Sequence, residues 1–391
     1  MKYDFDSILD RKKDFSAKWC EVEDKFGDKD IFPMWIADMD FKTAPVIMKA
    51  MEDRLKLGTF GYTTRPESYN RSIVNWMKER HGWEVKKDWL IFSPGVMPTI
   101  SLLIQKLTSE GDKIIIQQPV YSPFSSVVTN NKRELVVNPL KKDENGKWVM
   151  DFDDLERKID DKTKMLILCN PHNPIGRVWT KEELTKLGDI CLKNNIKVIS
   201  DEIHSDIVYE GHRHIPFSSI SEEFAQNSIT CLAPSKTFNI PGLQASVAVL
   251  PNKSDYDLLD EAFTTIDIKR NNCFSLVACE AAYTKGQGWL EALKQYLESN
   301  IDYVIEYIDE HMPKIKVMKP EGTYLMWLDF NELNLTNEEL FKLMKEKGKI
   351  ALNNGESFGI GGNKHMRLNI ACPRSMVEEG LKRIRSAVES I

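Results

Sequence analysis

A chain of 391 residues is too long for one small core, so its length implies two domains or one large α/β domain with a satellite. Hydrophobic residues make up 42% and charged residues 29%, a globular balance that excludes wholesale disorder. A net charge of -6 argues against nucleic acid as the main partner, and no apolar run approaches the roughly 20 residues that span a bilayer.

The chain opens on Met1-Lys2-Tyr3-Asp4, charged from the start and unlike a signal peptide, so the cytoplasm is the expected location. To about Ala44 it is polar and irregular around Pro33-Met34-Trp35-Ile36-Ala37-Asp38-Met39-Asp40. From Pro45 short apolar runs alternate with helical patterns. Strands are predicted at Trp89–Phe92, Lys113–Gln117, Glu134–Asn138, Lys164–Leu168, Lys197–Ser200, Ile229–Leu232 and Ser246–Leu250. Thr180, with Glu183 three residues on, is a capping-box signature and starts a helix over Lys181–Asn194. Strand, helix, strand at this spacing predicts βαβ units and a mostly parallel sheet.

After about Gly288 the rhythm changes. A helix is predicted over Trp289–His311, a strand over Thr323–Phe330, a helix near Asn337–Lys347, a strand at His365–Ile370, and a last helix. The expected organisation is a large α/β domain over 45–287 and a smaller α+β domain over 288–391, with residues 1–44 joining the small one. The 7 cysteines are scattered, odd in number and without a Cys-x-x-Cys pair, which predicts reduced structural thiols. His204, His212 and His214 form the one local histidine cluster, and nothing beside them completes a zinc pattern.

In an open parallel sheet, ligands bind beyond the carboxyl ends of the strands. Asn170-Pro171-His172-Asn173 follows one predicted strand, Asp201-Glu202-Ile203-His204 the next, and Ala233-Pro234-Ser235-Lys236 the one after. A lysine alone at such a position is ordinarily a solvated residue, and an aspartate there is ordinarily a cap or turn former. Arriving together they fit one cofactor, pyridoxal phosphate. A lysine amine condenses with its aldehyde, a carboxylate keeps its pyridine nitrogen protonated, and an amide donor steadies its phenolate oxygen. Ser93-Pro94-Gly95-Val96-Met97 follows a strand and opens a helix, where backbone N–H groups of Val96 and Met97 can meet a phosphate.

These motifs together resemble the fold-type I pyridoxal-phosphate enzymes, the aspartate aminotransferase superfamily, over nearly the whole chain. The resemblance implies Lys236 as the Schiff-base lysine, Asp201 as the pyridine-nitrogen partner and Asn173 as the phenolate donor. It implies Tyr121 as the aromatic stacked on the ring, with Gly95, Val96, Met97 and Ser235 around the phosphate. Tyr62 would reach the phosphate of a neighbouring subunit, which makes the active enzyme a homodimer. Arg367 would grip the substrate α-carboxylate through its guanidinium fork.

Two positions depart from the common pattern: His204 stands where many members carry a tyrosine, and Gln244 where many carry a basic residue. With Pro33–Phe41, Ser200–Asp206, Ser235–Asn239 and His365–Asn369, they are similar to the MalY/PatB group of cystathionine β-lyases. That implies β-elimination across a carbon–sulfur bond of cystathionine, cysteine or a related conjugate, with Lys236 as general base and Tyr121 as a helper. Asp38 and Asp40 are expected to be structural or to line the entrance. An aminotransferase of the same fold is the nearest alternative; a regulatory protein that binds a transcription factor is one of another class. Ser357-Phe358-Gly359-Ile360-Gly361-Gly362 imitates a dinucleotide loop but precedes a strand, not a helix, and so fails that test.

Overall fold

The computed structural model describes residues 3–391. Seven strands form the main sheet: β1 (Leu90–Ser93), β2 (Lys113–Ile116), β3 (Glu134–Val137), β4 (Thr163–Cys169), β5 (Lys197–Asp201), β6 (Ser228–Leu232) and β7 (Ser246–Val249). Each end lies within one residue of its predicted bound. The order is β1-β7-β6-β5-β4-β2-β3. All neighbours are parallel except β7, which runs antiparallel to both β6 and β1.

Period-two alternation sorts the side chains into two layers. Ile114, Ile116, Met165 and Ile167 face helices Val96–Leu107 and Lys253–Thr265, meeting Ile100, Leu103 and Leu259. Ile115, Leu166, Leu168 and Val198 face helix Lys181–Lys193, meeting Leu184 and Leu187. Each such fully buried aliphatic side chain contributes about 1.5–3 kcal/mol of transfer free energy. Helix Lys181–Lys193 begins with the predicted capping box between Thr180 and Glu183. Gly188 in it faces Phe224, whose ring would stand 2.2 Å from a Cβ there; only a bare backbone permits that approach.

The C-terminal part holds an antiparallel sheet of β8 (Lys316–Val317), β9 (Leu325–Asp329), β10 (Asn353–Asn354) and β11 (His365–Asn369), in the order β8-β9-β11-β10. Helices Gln287–His311 and Arg374–Val388 pack on it through Leu297, Ile301, Leu381 and Ile384. The leading segment is laid against this part: Phe32–Pro33 pairs in parallel with Ile350–Ala351, and Met34 N–H donates to Ala351 C=O at 2.9 Å. All seven cysteines are unpaired, and Cys169, Cys191 and Cys231 are buried. Among the described residues, no helix is long and apolar enough to cross a membrane.

Candidate active site

Because β4, β5 and β6 are parallel and in register, their carboxyl ends deliver three polar groups to one rim: Cys169 stands opposite Asp201, and Asp201 opposite Cys231. β7 is antiparallel to both its neighbours, so β1 ends at that rim as well. A cavity of about 220 Å³ opens there. Its wall includes Gly95, Val96, Met97, Tyr121, Asn173, Asp201, His204, Ser235 and Lys236. Nine of the residues singled out from sequence therefore share one space.

Lys236 sits in the short helical turn Pro234–Thr237 after β6. Its Nζ donates to the carbonyl of Ala37 at 2.6 Å. Burial draws its pKa down to about 8, against the pull of Asp38, with Arg367 acting in the same direction as burial. Asp201 is buried, and its Oδ1 accepts only the Ile203 N–H, at 3.1 Å. Burial pushes its carboxyl up to about 7, the Ile203 bond opposing. A carboxylate so placed, facing a cavity without a paired cation, is satisfied by a cationic ligand group.

Asn173 Oδ1 accepts from Arg367 Nη1 at 2.9 Å, which turns its amide NH2 away from the arginine. His204 lines the cavity edge-on to Tyr324, with ring centroids 5.9 Å apart and Nδ1 without a partner. Burial, helped by Lys236 and Arg367, lowers its pKa to about 3, so the ring is neutral. Tyr121 packs edge-on to Phe124 at 5.7 Å, and burial together with Asp201 raises its pKa, so its phenol keeps its proton.

Helix Val96–Leu107 points its N-terminus at the cavity. Thr99 N–H is bonded to Gly95 C=O and Pro98 has no N–H, which leaves Val96 and Met97 as the open donors of the first turn. Gly95 has φ 179, extended backbone that any residue adopts; what its small size avoids is the Pro98 ring, whose Cδ would lie 3.3 Å from a Cβ. Gln244 also lines the cavity, and among the described residues Lys236 is the one Lys or Arg side chain in the wall.

Arg367 stands behind Asn173 rather than in the wall. It is buried, and three of its donor bonds go to neutral acceptors: Asn173, the Trp35 carbonyl at 3.0 Å and Asn353 at 2.7 Å. Its Nε has no acceptor, and no carboxylate balances its charge. A buried guanidinium left in this state fits an incoming carboxylate. Tyr62 is not brought to this cavity; it is 97% exposed, on a segment with Leu57 and Phe60 also exposed.

Sequence reasoning singled out the segment Trp35–Asp40 without finding what it does. Its carbonyls serve the site: Trp35 accepts from Arg367, Ala37 from Lys236 and from Tyr324 Oη at 2.9 Å, and Ile36 and Asp38 from Asn369. Asp40 is buried against Lys18 Nζ at 2.5 Å and Trp19 Nε1 at 2.8 Å, with Arg11 bridging it to Asp38. These side chains anchor the segment. Its resemblance to the MalY/PatB segment was the visible signal; carbonyl orientation leaves none in the sequence.

The residues present fit pyridoxal phosphate: an amine of lowered pKa, a buried carboxylate lacking a cation, an amide donor, and two open N–H groups beside the Ser235 hydroxyl. Residues 29–384 match the family model for class I and II aminotransferases. The chain is 44% identical to cystathionine β-lyase PatB of Bacillus subtilis, covering 98% of this chain and 99% of that one. It is similar to a pyridoxal-phosphate-bound protein of Clostridium difficile 630, provisionally described as an aminotransferase, at 62% identity and TM-score 0.98 over 99% and 100% of the two chains. It is also similar to the pyridoxal-phosphate-bound C–S lyase of Staphylococcus hominis, at 34% identity and TM-score 0.92 over 99% and 98%.

Proposed function

The chain belongs to the class I and II aminotransferase family, and on that footing we propose that it is a pyridoxal-phosphate-dependent carbon–sulfur β-lyase acting on L-cystathionine or a close relative. The observation that carries the reading is the cavity in which Lys236, Asp201 and Asn173 meet, with the open guanidinium of Arg367 behind it. Pyridoxal phosphate, when bound, supplies an electron sink for the pair left at the substrate's α-carbon.

The remaining work falls to the chain. Lys236 holds the cofactor covalently; once free, its Nζ takes the α-proton and gives a proton to the departing sulfur. Its lowered pKa suits both tasks near neutral pH. Asp201 would keep the cofactor's ring nitrogen protonated, and in doing so would gain the cation it lacks. Asn173 would hold the cofactor through its amide N–H, and Tyr121, in the cavity wall, would restrain it and exclude water. Val96 and Met97 N–H and the Ser235 hydroxyl would hold the phosphate, and Arg367 would hold the α-carboxylate. The Cα–H and Cβ–S bonds break, a carbon–carbon double bond forms, and the released enamine takes up water to give pyruvate and ammonia beside the thiol.

The same proposal includes a cytoplasmic homodimer in which Tyr62 completes the neighbour's phosphate site, an arrangement supported by its 97% exposure beside Leu57 and Phe60. It also includes the division into a large unit over 45–287 and a small one over 288–391 that takes in residues 1–44. The test is incubation of the cofactor-loaded protein with L-cystathionine and no keto acid. Equal release of pyruvate and homocysteine, abolished in Lys236→Ala, is the expected result. No product until a keto acid is added would establish an aminotransferase instead.

A further inference from the structure

The loop Phe358–Gly362, which imitates a dinucleotide motif in sequence, is built into the join between the two halves of the site. Phe358 is buried, and its ring lies under the Arg367 guanidinium, 5.0 Å from Cζ to the ring centroid. Its ring also packs edge-on against Trp327, at 5.3 Å and 79°. Trp327 is also the cross-strand partner of Arg367 in the β9–β11 pairing, so Arg367 and Phe358 meet on the same tryptophan.

The backbone of this loop reaches the opposite wall. Phe358 C=O accepts from Val120 N–H at 3.0 Å, one residue before Tyr121. Ile360 N–H donates to Gln118 Oε1 at 2.9 Å. Gly359 makes this possible in two ways. It has φ +90, a left-handed conformation that side chains rarely adopt, and a Cβ on it would stand 2.1 Å from the Gln118 side chain. Gly361, at φ +87, makes a looser approach to the next residue, where a Cβ would meet Pro119 Cδ at 3.0 Å.

We infer that Phe358 is a positioning residue for Arg367, and that the Phe358–Gly362 loop is a clasp that keeps Arg367 in register with Tyr121 across the cavity. A guanidinium binds a carboxylate well only if its plane is fixed, because the two N–H bonds must be parallel. Hydrogen bonds from Nη1 and Nη2 fix its edge; the Phe358 ring fixes its face and holds the cation in an apolar setting where a cation–π contact is strong. The clasp makes the carboxylate site and the ring-stacking residue one mechanical unit. Amino acids that carry an α-carboxylate therefore depend on Phe358, and amines that lack one do not. The inference rests on Arg367 being the carboxylate site of the proposed reaction.

The experiment uses the cofactor-loaded dimer and two probes followed through the cofactor absorbance: L-alanine, which has the α-carboxylate and no leaving group, and methylamine, which has neither. Phe358→Leu keeps an apolar filler and removes the ring. It is expected to weaken L-alanine by about fivefold to thirtyfold, the range a desolvated cation–π contact supplies. Methylamine binding should stay within about twofold of wild type, and KM for cystathionine should rise with kcat little changed. Phe358→Tyr, which keeps the ring, should restore L-alanine binding. Equal losses for both probes, or no loss for L-alanine, would overturn the inference. Arg367→Lys is the control: if it too leaves L-alanine binding intact, the assignment of Arg367 has failed, not the clasp alone.

Discussion

Asp201 gives a prediction in which one substitution acts with opposite sign on the empty and the loaded protein. In the unfolded chain an aspartate titrates near its ordinary 3.8; in the empty fold burial raises it to about 7. A raised carboxyl means that the folded state binds the proton more tightly, so its contribution to stability is fully present below about pH 4 and is lost as pH rises to 7. A shift of about 3 units corresponds to about 4 kcal/mol at pH 8. Asp201→Asn keeps the shape and removes the charge. It should therefore stabilise the cofactor-free protein at pH 8 by up to about 4 kcal/mol, or about 5 °C in Tm for a chain of this length, and change little at pH 4. In the cofactor-loaded protein the same change should cost about a hundredfold or more in kcat, because the ring nitrogen loses its charged partner. Differential scanning fluorimetry of stripped and loaded protein at both pH values reads the first effect, and pyruvate release reads the second. If stripped Asp201→Asn is no more stable than wild type at pH 8, the carboxylate is not an uncompensated charge and the argument for a cationic ligand group falls.

Reconstitution of the stripped protein should follow the neutral fraction of Lys236. The rate of recovery of the cofactor absorbance should rise with pH and reach half its plateau near 8, whereas an unperturbed lysine would place that point near 10.5. Arg367→Ala should raise KM for cystathionine about thirtyfold or more, as expected when one member of a buried charge-assisted contact is lost, and an unaltered KM would remove it from the substrate site. Asp40→Asn should destabilise the fold by about 3 kcal/mol in denaturant titration, because Lys18 is 1% exposed and would lose its nearest counter-charge. A loss under 1 kcal/mol there would show that Asp38, 3.9 Å away, is sufficient.

The strands of the main sheet were legible because each is a short apolar run bounded by turn residues, and the central three, β4, β5 and β6, are buried along nearly their whole length. The helix at Lys181 was legible from its cap, since Thr180 and Glu183 act within one turn. The direction of β7 was not: Ser246–Val249 reads the same whichever way it runs, and pairing with both β1 and β6 decides it. Lys236, Asp201 and Asn173 could be found because each lies at the carboxyl end of its strand or within four residues of it. The acceptor of Lys236 could not, because a backbone carbonyl has no letter of its own and Ala37 lies 199 residues away. Phe32–Pro33 is too short to show a period, so its pairing with Ile350–Ala351 was equally hidden.

That pairing bears on the order in which the molecule is made. Phe32 and Pro33 leave the ribosome early, and their partners Ile350 and Ala351 emerge more than three hundred residues later. At about 5–20 residues per second, the segment waits on the order of tens of seconds for anything to lie against. The main sheet is complete at Val249 and can form during that interval. The carbonyls of Trp35, Ile36 and Asp38, however, cannot be set until β11 supplies Arg367 and Asn369. The nascent chain thus has a shaped cradle before it has a finished pocket, and the stretch from Ile350 to Asn369 turns one into the other.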